Sequence, residues 1–198
     1  SAMLAILLHD VGHGPFSHAL ESLLMEDWHH EKLSILLMNK INEEFDGELS
    51  MALEMFQGKY HRRFFNQLIS SQLDVDRLDY LKRDSFFTGV SEGSVNTQRI
   101  ISMMNVCDDE LVIDEKGVYS IENFLTARMF MYWQVYYHKT SALAEHLLVK
   151  ILSRAKQLIS EGKSIEAYGN LKYFLYKTDF EKATEEDIIR FTQLDDTD

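Results

Sequence analysis

Apolar residues recur at three- and four-residue intervals along most of the chain, a spacing that predicts helices. Leucine and isoleucine between positions 33 and 41 mark one face of a helix that begins near His29, and phenylalanine and leucine between 64 and 69 mark another. The segment Asp74–Phe86 continues in the same manner. Only one proline and nine glycines interrupt the 198 residues. The pattern therefore predicts an all-α fold.

The first helix is predicted to end at Leu8 to Asp10, because Gly12, Gly14 and Pro15 follow. Ser17 is placed to cap the next helix, since a serine oxygen accepts a hydrogen bond from a free N–H of the first turn. The glycine-rich break therefore separates two helices, and polar side chains gather within it.

Two departures from this helical pattern stand out in the second half of the chain. Short apolar runs separated by Asp-Glu-Lys-Gly predict a small β-hairpin near residues 111–121. Residues 122–159 contain neither glycine nor proline and predict one long helix or two nearly continuous ones. The acidic tail, residues 181–198, is predicted to be flexible because its charges repel one another.

Length and composition predict a single domain over residues 1–198, with apolar residues at 45% of the chain. The single cysteine, Cys107, cannot form an intrachain disulfide; it is expected to be buried, and a cytoplasmic location is the default. No apolar run reaches the roughly 18 to 20 residues of a membrane span. A net charge of −12 excludes broad nucleic-acid binding but allows a small anion held through a cation.

The segment HDVGHGPFSHALE, residues 9–21, concentrates metal-binding chemistry. It contains His9, Asp10, His13, His18 and Glu21 within thirteen positions. Imidazole nitrogen and carboxylate oxygen bind divalent cations, and a broken helix allows the adjacent His9 and Asp10 to converge. A capping Asp beside a core histidine is the simpler reading of the HD pair alone, and the surrounding glycines and histidines outweigh it.

A second group follows in LDVDRLDYLKRD, residues 73–84. Asp76, Tyr80 and Asp84 are four residues apart, so they share one helical face that can line a site. The alternative is a solvated charged face, because charged residues such as Arg77 and Asp79 are interleaved with them.

Both motifs, in this order, resemble the HD superfamily of phosphohydrolases, in particular its deoxynucleoside triphosphate triphosphohydrolase branch, which includes bacterial dGTPases and the SAM-and-HD-domain enzyme. The resemblance covers about residues 4–145. It implies an HD-domain helical bundle whose divalent metal ion (Mn, Mg, Fe, Ni or Zn) is held by His9, Asp10 and Asp76.

The resemblance also implies roles for the remaining residues. HHEK, residues 29–32, resembles the His-Glu pair near the scissile phosphate, and RMFMYWQVYYHK, residues 128–139, resembles the segment that lines the nucleotide pocket. The implied catalytic residues are His13, His30, Glu31, Glu21 and His18. The implied substrate-binding residues are Arg77, Tyr80, Asp84, Arg128, Tyr136 and Lys139. His30 and Glu31 can also be read as an ordinary helix start, with an acidic residue favoured by the helix dipole.

One departure from the family concerns its metal site, which begins with another histidine on a helix before the HD pair. Only eight residues precede His9, so that ligand is absent and the chain is expected to be an N-terminally truncated fragment. The chain alone therefore does not complete a four-ligand site, and whether it binds metal or is active stays open.

The expected reaction is hydrolysis of deoxynucleoside triphosphates to deoxynucleoside and triphosphate, with a nucleotide as the small-molecule partner. Other HD proteins cleave nucleoside monophosphates, cyclic dinucleotides or ppGpp, and these substrates stay open. A non-catalytic nucleotide or metal sensor is the alternative from a different class. A homo-oligomer also stays open.

Overall fold

The computed structural model describes residues 1–17, 28–177 and 184–197, and within them the protein is mostly helical. His18, Glu21 and the helix predicted to follow Ser17 lie outside the described residues. The elements are, in chain order, α1 Ala2–Leu8, α2 His30–Glu44, α3 Ser50–Phe56, α4 Arg63–Ile69, α5 Val75–Thr88, α6 Thr97–Met103, β1 Met104–Cys107, β2 Glu110–Ile113, α7 Val118–Met131, α8 Lys139–Ser160, α9 Gly169–Tyr176 and α10 Glu185–Thr192. The predicted all-α class with one small sheet is confirmed.

The chain divides into two compact units, and each has its own apolar core. Unit 1 comprises Ser1–His9 and Phe45–Ala142, and unit 2 comprises Asp10–Glu44 and Leu143–Asp198. A single domain over residues 1–198 stays a prediction. In the described part of the chain, no helix is both long enough and apolar enough to cross a membrane.

Unit 1 is built on two apolar clusters. In the first, Leu81 and Phe124 are fully buried, which joins α5 to α7. In the second, Ala5 of α1 packs with Ala52 of α3 and Ile69 of α4. Burying a side chain of leucine or phenylalanine size contributes about 1.5 to 3 kcal/mol, so these contacts fix α1, which ends beside His9, and α5, which carries Asp76, Tyr80 and Asp84.

Unit 2 has a core centred on Phe174 of α9, which is fully buried. Leu33 of α2, Leu152 of α8 and Phe191 of α10 belong to the same cluster. The helix predicted to begin near His29 is confirmed as α2, and its first turn is therefore anchored by this core.

The observed hairpin comprises β1 and β2, so the position predicted for it, residues 111–121, was wrong. Met104 pairs with Ile113 and Cys107 with Glu110. The turn falls at Asp108 and Asp109, whose φ angles of 48° and 64° suit the two left-handed positions of a tight hairpin. Cys107 is exposed there, contrary to expectation.

The Asp-Glu-Lys-Gly segment forms a helical turn instead of a hairpin turn. The carboxylate of Asp114 accepts a hydrogen bond from the Lys116 N–H, and α7 begins at Val118. The apolar residues after Gly117 are therefore helical, which a short run of alternating residues does not reveal.

The segment 122–159 is confirmed as two nearly continuous helices. A π-helical stretch, Tyr132–Tyr136, lies between α7 and α8. Its backbone is closed by a hydrogen bond from the Tyr137 N–H to the Tyr132 carbonyl, 2.8 Å long, which spans five residues. Such stretches are frequent at functional sites.

The acidic tail contains a helix, where charge repulsion had predicted flexibility. Thr184 and Asp187 form a capping box at the start of α10. Asp187 is fully buried and accepts hydrogen bonds from Lys177 and Tyr173. Negative charge in a first helical turn is stabilising, so the acidic composition supports this helix instead of opposing it.

The buried Asp187 is expected to make unfolding sensitive to acid. Burial by itself would raise its pKa, but hydrogen bonds from Lys177, Thr184 and Tyr173 outweigh burial and lower the pKa to about 2 from 3.8. A depressed folded-state pKa stabilises the protein above about pH 4, by about 2 kcal/mol, and this contribution is lost as the pH falls from about 4 towards 2.

We expect Asp187→Asn to lower the free energy of unfolding at pH 7 by about 2 to 3 kcal/mol, because it leaves Lys177 without its buried anion. It should also flatten the dependence on pH between about 4 and 2. Urea unfolding followed by circular dichroism measures both effects. Glu185→Gln is the matched control, because Glu185 lies in the same helix and forms an exposed pair with Lys40. Equal effects of the two substitutions would contradict the assignment.

Candidate functional site

His9 lies just beyond the end of α1 and still has helical dihedral angles, with φ −58° and ψ −34°. Its Nδ1 is 2.6 Å from the Ile6 carbonyl oxygen. A carbonyl oxygen only accepts, so Nδ1 carries the hydrogen and, in the neutral ring, Nε2 carries the lone pair. Metal-binding histidines are commonly oriented by such a bond through their other nitrogen.

His9 and Asp76 approach each other within unit 1. Nε2 of His9 lies 3.9 Å from Oδ1 of Asp76, and both side chains are partly exposed. This distance is too long for a hydrogen bond between the two atoms. It fits two ligands of one cation, because bonds of about 2.0 to 2.2 Å allow their atoms to lie up to about 4 Å apart. Nitrogen and carboxylate donors suit a divalent cation.

Asp10 follows His9 through one peptide bond and groups with two histidines in unit 2. The ligand atoms of Asp10, His13 and His30 all lie within 4.8 Å of one another. Nε2 of His13 is 3.7 Å from Oδ1 of Asp10, and the rings of His13 and His30 are stacked with centroids 4.2 Å apart. The predicted catalytic histidines that the structure describes are therefore adjacent, next to one predicted metal ligand.

A glycine contact positions this histidine pair. The Gly12 N–H donates to Oγ of the fully buried Ser34, at 2.9 Å. A Cβ at position 12 would lie 2.3 Å from both the His30 carbonyl oxygen and the Ser34 nitrogen. Only glycine fits here, so the turn after Asp10 lies directly on the first turn of α2. The sequence indicated a helix break but gave no signal for Ser34.

The α5 face has the predicted composition, because Asp76, Tyr80 and Asp84 all lie within this helix. Its first turn is capped by the carboxylate of Asp74, which accepts from the Arg77 N–H at 2.7 Å. The cap and the apolar contacts of α5 thus fix the direction in which this face points within unit 1.

Tyr136, from the π-helical stretch, packs against this face. The Tyr136 hydroxyl donates to Oδ2 of Asp84 at 2.7 Å, and the Tyr80 ring meets the Tyr136 ring edge to face at 6.1 Å. Burial, followed by the nearby Tyr132 hydroxyl, raises the pKa of Tyr80 to about 12. Burial and the hydrogen bond to Asp84 raise the pKa of Tyr136 as well. Both phenols therefore keep their protons at neutral pH.

The predicted cations have different surroundings. Arg128 donates from Nη1 to Oε1 of Gln72 at 3.1 Å and lies over the Tyr132 ring. Arg77 donates from Nε to Oδ2 of Asp74 at 3.0 Å, so one N–H of its guanidinium is bound to the capping residue of α5. Lys139 is exposed at the start of α8. Gln72 was missed by the sequence analysis because its partner Arg128 lies 56 positions away along the chain.

Glu31 is the remaining predicted catalytic residue that the structure describes. Glu31 is exposed in the first turn of α2, next to His30. This placement suits either proton transfer near His30 or a simple interaction with the helix dipole. The assignments of catalytic, substrate-binding and metal-binding roles stay predictions.

Comparison with known proteins yields two adjacent family matches. The HD domain matches residues 1–84, and the HD associated region matches residues 95–192. The first match contains the His9–Asp76 pair and the Asp10, His13 and His30 group. The second contains Arg128 and Tyr136.

Individual relatives agree with these matches. The chain is 40% identical over 168 residues to the uncharacterized protein YwfO of Bacillus subtilis (strain 168), covering 81% of this chain and 38% of that protein. It is 31% identical over 180 residues to the deoxynucleoside triphosphate triphosphohydrolase SAMHD1 homolog of Dictyostelium discoideum, covering 82% and 35%. The crystal structure of the phosphohydrolase BT4208 from Bacteroides thetaiotaomicron VPI-5482 superposes with a TM-score of 0.92 at 52% identity, over 100% of this chain and 50% of that one. The chain thus spans no more than half of each of these three relatives.

We expect Gly12→Ala to destabilise the protein by about 2 to 4 kcal/mol, because backbone atoms of α2 occupy the position of the new Cβ and cannot rotate away. Urea unfolding measures the change. The control is Gly162→Ala in the same unit, where φ is +79° and nothing lies within 4 Å. Gly162→Ala introduces backbone strain alone, which lowers the free energy of unfolding by about 1 kcal/mol. Similar losses in the two variants would rule out a steric role for the Gly12 contact.

Proposed function

The chain belongs to the HD domain family, and from this premise we propose that it contributes the catalytic core of a metal-dependent phosphohydrolase that acts on nucleotides. The observation that carries the proposal is the approach of His9 to Asp76, with the His9 ring oriented by the Ile6 carbonyl. We further propose deoxynucleoside triphosphates as substrates, in keeping with the names of relatives such as the Dictyostelium protein.

In this proposal, His9, Asp10 and Asp76 share one divalent cation. The covalent link between His9 and Asp10 keeps their side chains close, since consecutive Cα atoms are about 3.8 Å apart. Manganese, magnesium, iron, nickel and zinc all accept such donors, so the ion's identity stays open. A cation bound there would lower the pKa of the water it holds and would stabilise negative charge on a phosphoryl oxygen.

The histidines of unit 2 handle protons in the proposed reaction. A water oxygen forms a bond to the α-phosphorus, and the bond from that phosphorus to the sugar O5′ breaks. The water loses a proton, and O5′ gains one as the deoxynucleoside leaves. His13 and His30 are proposed for these transfers, with Glu31 and Glu21 orienting them and His18 contacting phosphate.

Tyr80 and Tyr136 of unit 1 are proposed to hold the sugar. Tyr80 and Tyr136 stay protonated, and Asp84 already accepts from Tyr136. A fixed aromatic wall leaves little room for a 2′-hydroxyl, which favours the deoxy sugar. Arg77, Arg128 and Lys139 contribute positive charge for the phosphates. A cytoplasmic location and a homo-oligomer belong to the same proposal.

In a protein that spans the full length of the relatives, we expect Asp76→Ala to lower phosphate-ester hydrolysis at least about 100-fold, because one ligand of the cation is lost. Release of triphosphate is measured with added manganese, and circular dichroism checks the fold. Asp79→Ala is the control, since Asp79 lies on the same helix in an exposed pair with Arg83. Full activity of the Asp76 variant at saturating metal would remove Asp76 from the site.

The products test the substrate assignment separately. Attack at the α-phosphorus predicts intact triphosphate and a deoxynucleoside from each deoxynucleoside triphosphate, resolved by ion-exchange chromatography. Ribonucleotides should react more slowly. Nucleoside monophosphate with pyrophosphate, or cleavage of monophosphates only, would refute the triphosphohydrolase assignment and leave the metal site untouched. Nucleotide binding without turnover would identify a sensor.

A further inference from the structure

A cleft of about 550 Å³ lies in unit 2, built from α9, the residue after it and α10. Its lining residues are Gly169, Lys172, Tyr173, Tyr176, Lys177 and Arg190. Three of these side chains are cations, and none is a carboxylate. The volume falls within the range of about 300 to 1,000 Å³ that small-molecule sites occupy. None of these residues belongs to the candidate site described above.

Arg190 is held in a defined orientation at this cleft. Its Nε donates to Glu186 at 2.8 Å, its Nη1 lies 3.4 Å from Oδ1 of Asn170, and its guanidinium lies 4.5 Å over the Tyr173 ring. A guanidinium has five N–H donors, and these two hydrogen bonds use two of them. The arginine is therefore positioned before any ligand arrives, which reduces the entropy lost on binding.

Lys177 is positioned by the same aromatic ring. Its ammonium group is hydrogen-bonded to the buried Asp187 and lies 5.5 Å from the Tyr173 ring centroid. Tyr173 is fixed in turn, since its hydroxyl donates to Asp187 at 2.8 Å. One tyrosine ring thus contacts both Lys177 and Arg190, and the buried carboxylate below it fixes the arrangement.

Lys172 adds an exposed positive charge from the same helix as Tyr173. The concentration of cations is unusual for this chain, which has 32 acidic and 20 basic residues. Glu186 and Asp187 offset part of the charge, but they lie outside the lining. The lining therefore presents cationic groups, apolar lysine and arginine stems, and tyrosine rings to a ligand.

We propose that this cleft binds a small phosphate-bearing anion. A planar guanidinium pairs with phosphate through two parallel hydrogen bonds, and lysine adds a mobile positive charge. Asp187 positions Lys177 from outside the lining, and the Tyr173 ring positions both Lys177 and Arg190 as part of the lining. The proposal does not depend on the proposed hydrolase activity, because it uses a separate set of residues and needs no metal ion.

Isothermal titration calorimetry with pyrophosphate tests the proposal on the chain as it stands, with EDTA present to exclude metal-dependent binding. We expect saturable binding with a dissociation constant below about 1 mM. Arg190→Gln and Lys172→Gln should each raise that constant about tenfold, the loss of one charge-assisted contact. Lys172 is exposed, so its substitution keeps the test valid if the arginine variant unfolds. Lys163→Gln, at an exposed lysine of the same unit, is the matched control.

Binding that persists in Asp76→Ala would support the separate location, whereas loss in that variant would move the ligand to the candidate site and overturn the proposal. Absence of saturation up to about 10 mM would also overturn it, since no specific affinity would be left. The same holds if Arg190→Gln and Lys172→Gln bind as well as the Lys163 control. Pyrophosphate binding by the wild-type protein is expected to weaken steadily as salt is added.

Discussion

The close approach of Gly12 to α2 is the constraint on which the candidate site in unit 2 depends. Backbone meets backbone there, with the Gly12 N–H bound to a fully buried serine hydroxyl. Backbone atoms cannot repack as side chains do, so the approach leaves the turn little freedom to shift against α2. His13 meets His30 because the residues between Asp10 and Gly14 follow that turn. The apolar core around Phe174 also holds α2 in place, through Leu33.

Three aspartates of α5 and its cap show how surroundings assign different roles to one residue type. Asp74 is buried and accepts from the backbone and side chain of Arg77, which makes it a structural cap. Asp84 accepts from the half-buried phenol of Tyr136. Asp76 faces a histidine nitrogen at a distance suited to a shared cation. The side chain is the same in all three, and its neighbours determine its role.

The sequence predicted those features that depend on local spacing. The end of α1, the start of α2 and the shared face of Asp76, Tyr80 and Asp84 all follow from intervals of a few residues. The contact of Tyr136 with Asp84 joins residues 52 positions apart, and no local pattern encodes its geometry. The hairpin was misplaced because apolar residues after Gly117 suit a strand or a helix equally well. The segment is helical in the structure, where Phe124 and Met131 of α7 pack in the core of unit 1.

The π-helical stretch at Tyr132–Tyr136 alters the phase of the helix that carries these aromatic residues. Each residue of an α-helix advances by about 100°, so one residue accommodated in a wider turn rotates the residues that follow it within this stretch, including Tyr136, relative to a regular helix. A helical wheel continued from α7 through the π-helical stretch therefore places Tyr136 on the wrong side. Deleting a single residue there would restore regular winding and turn Tyr136 away from Asp84, whereas a conservative substitution would leave the offset in place. Length, as much as residue identity, is fixed in this segment.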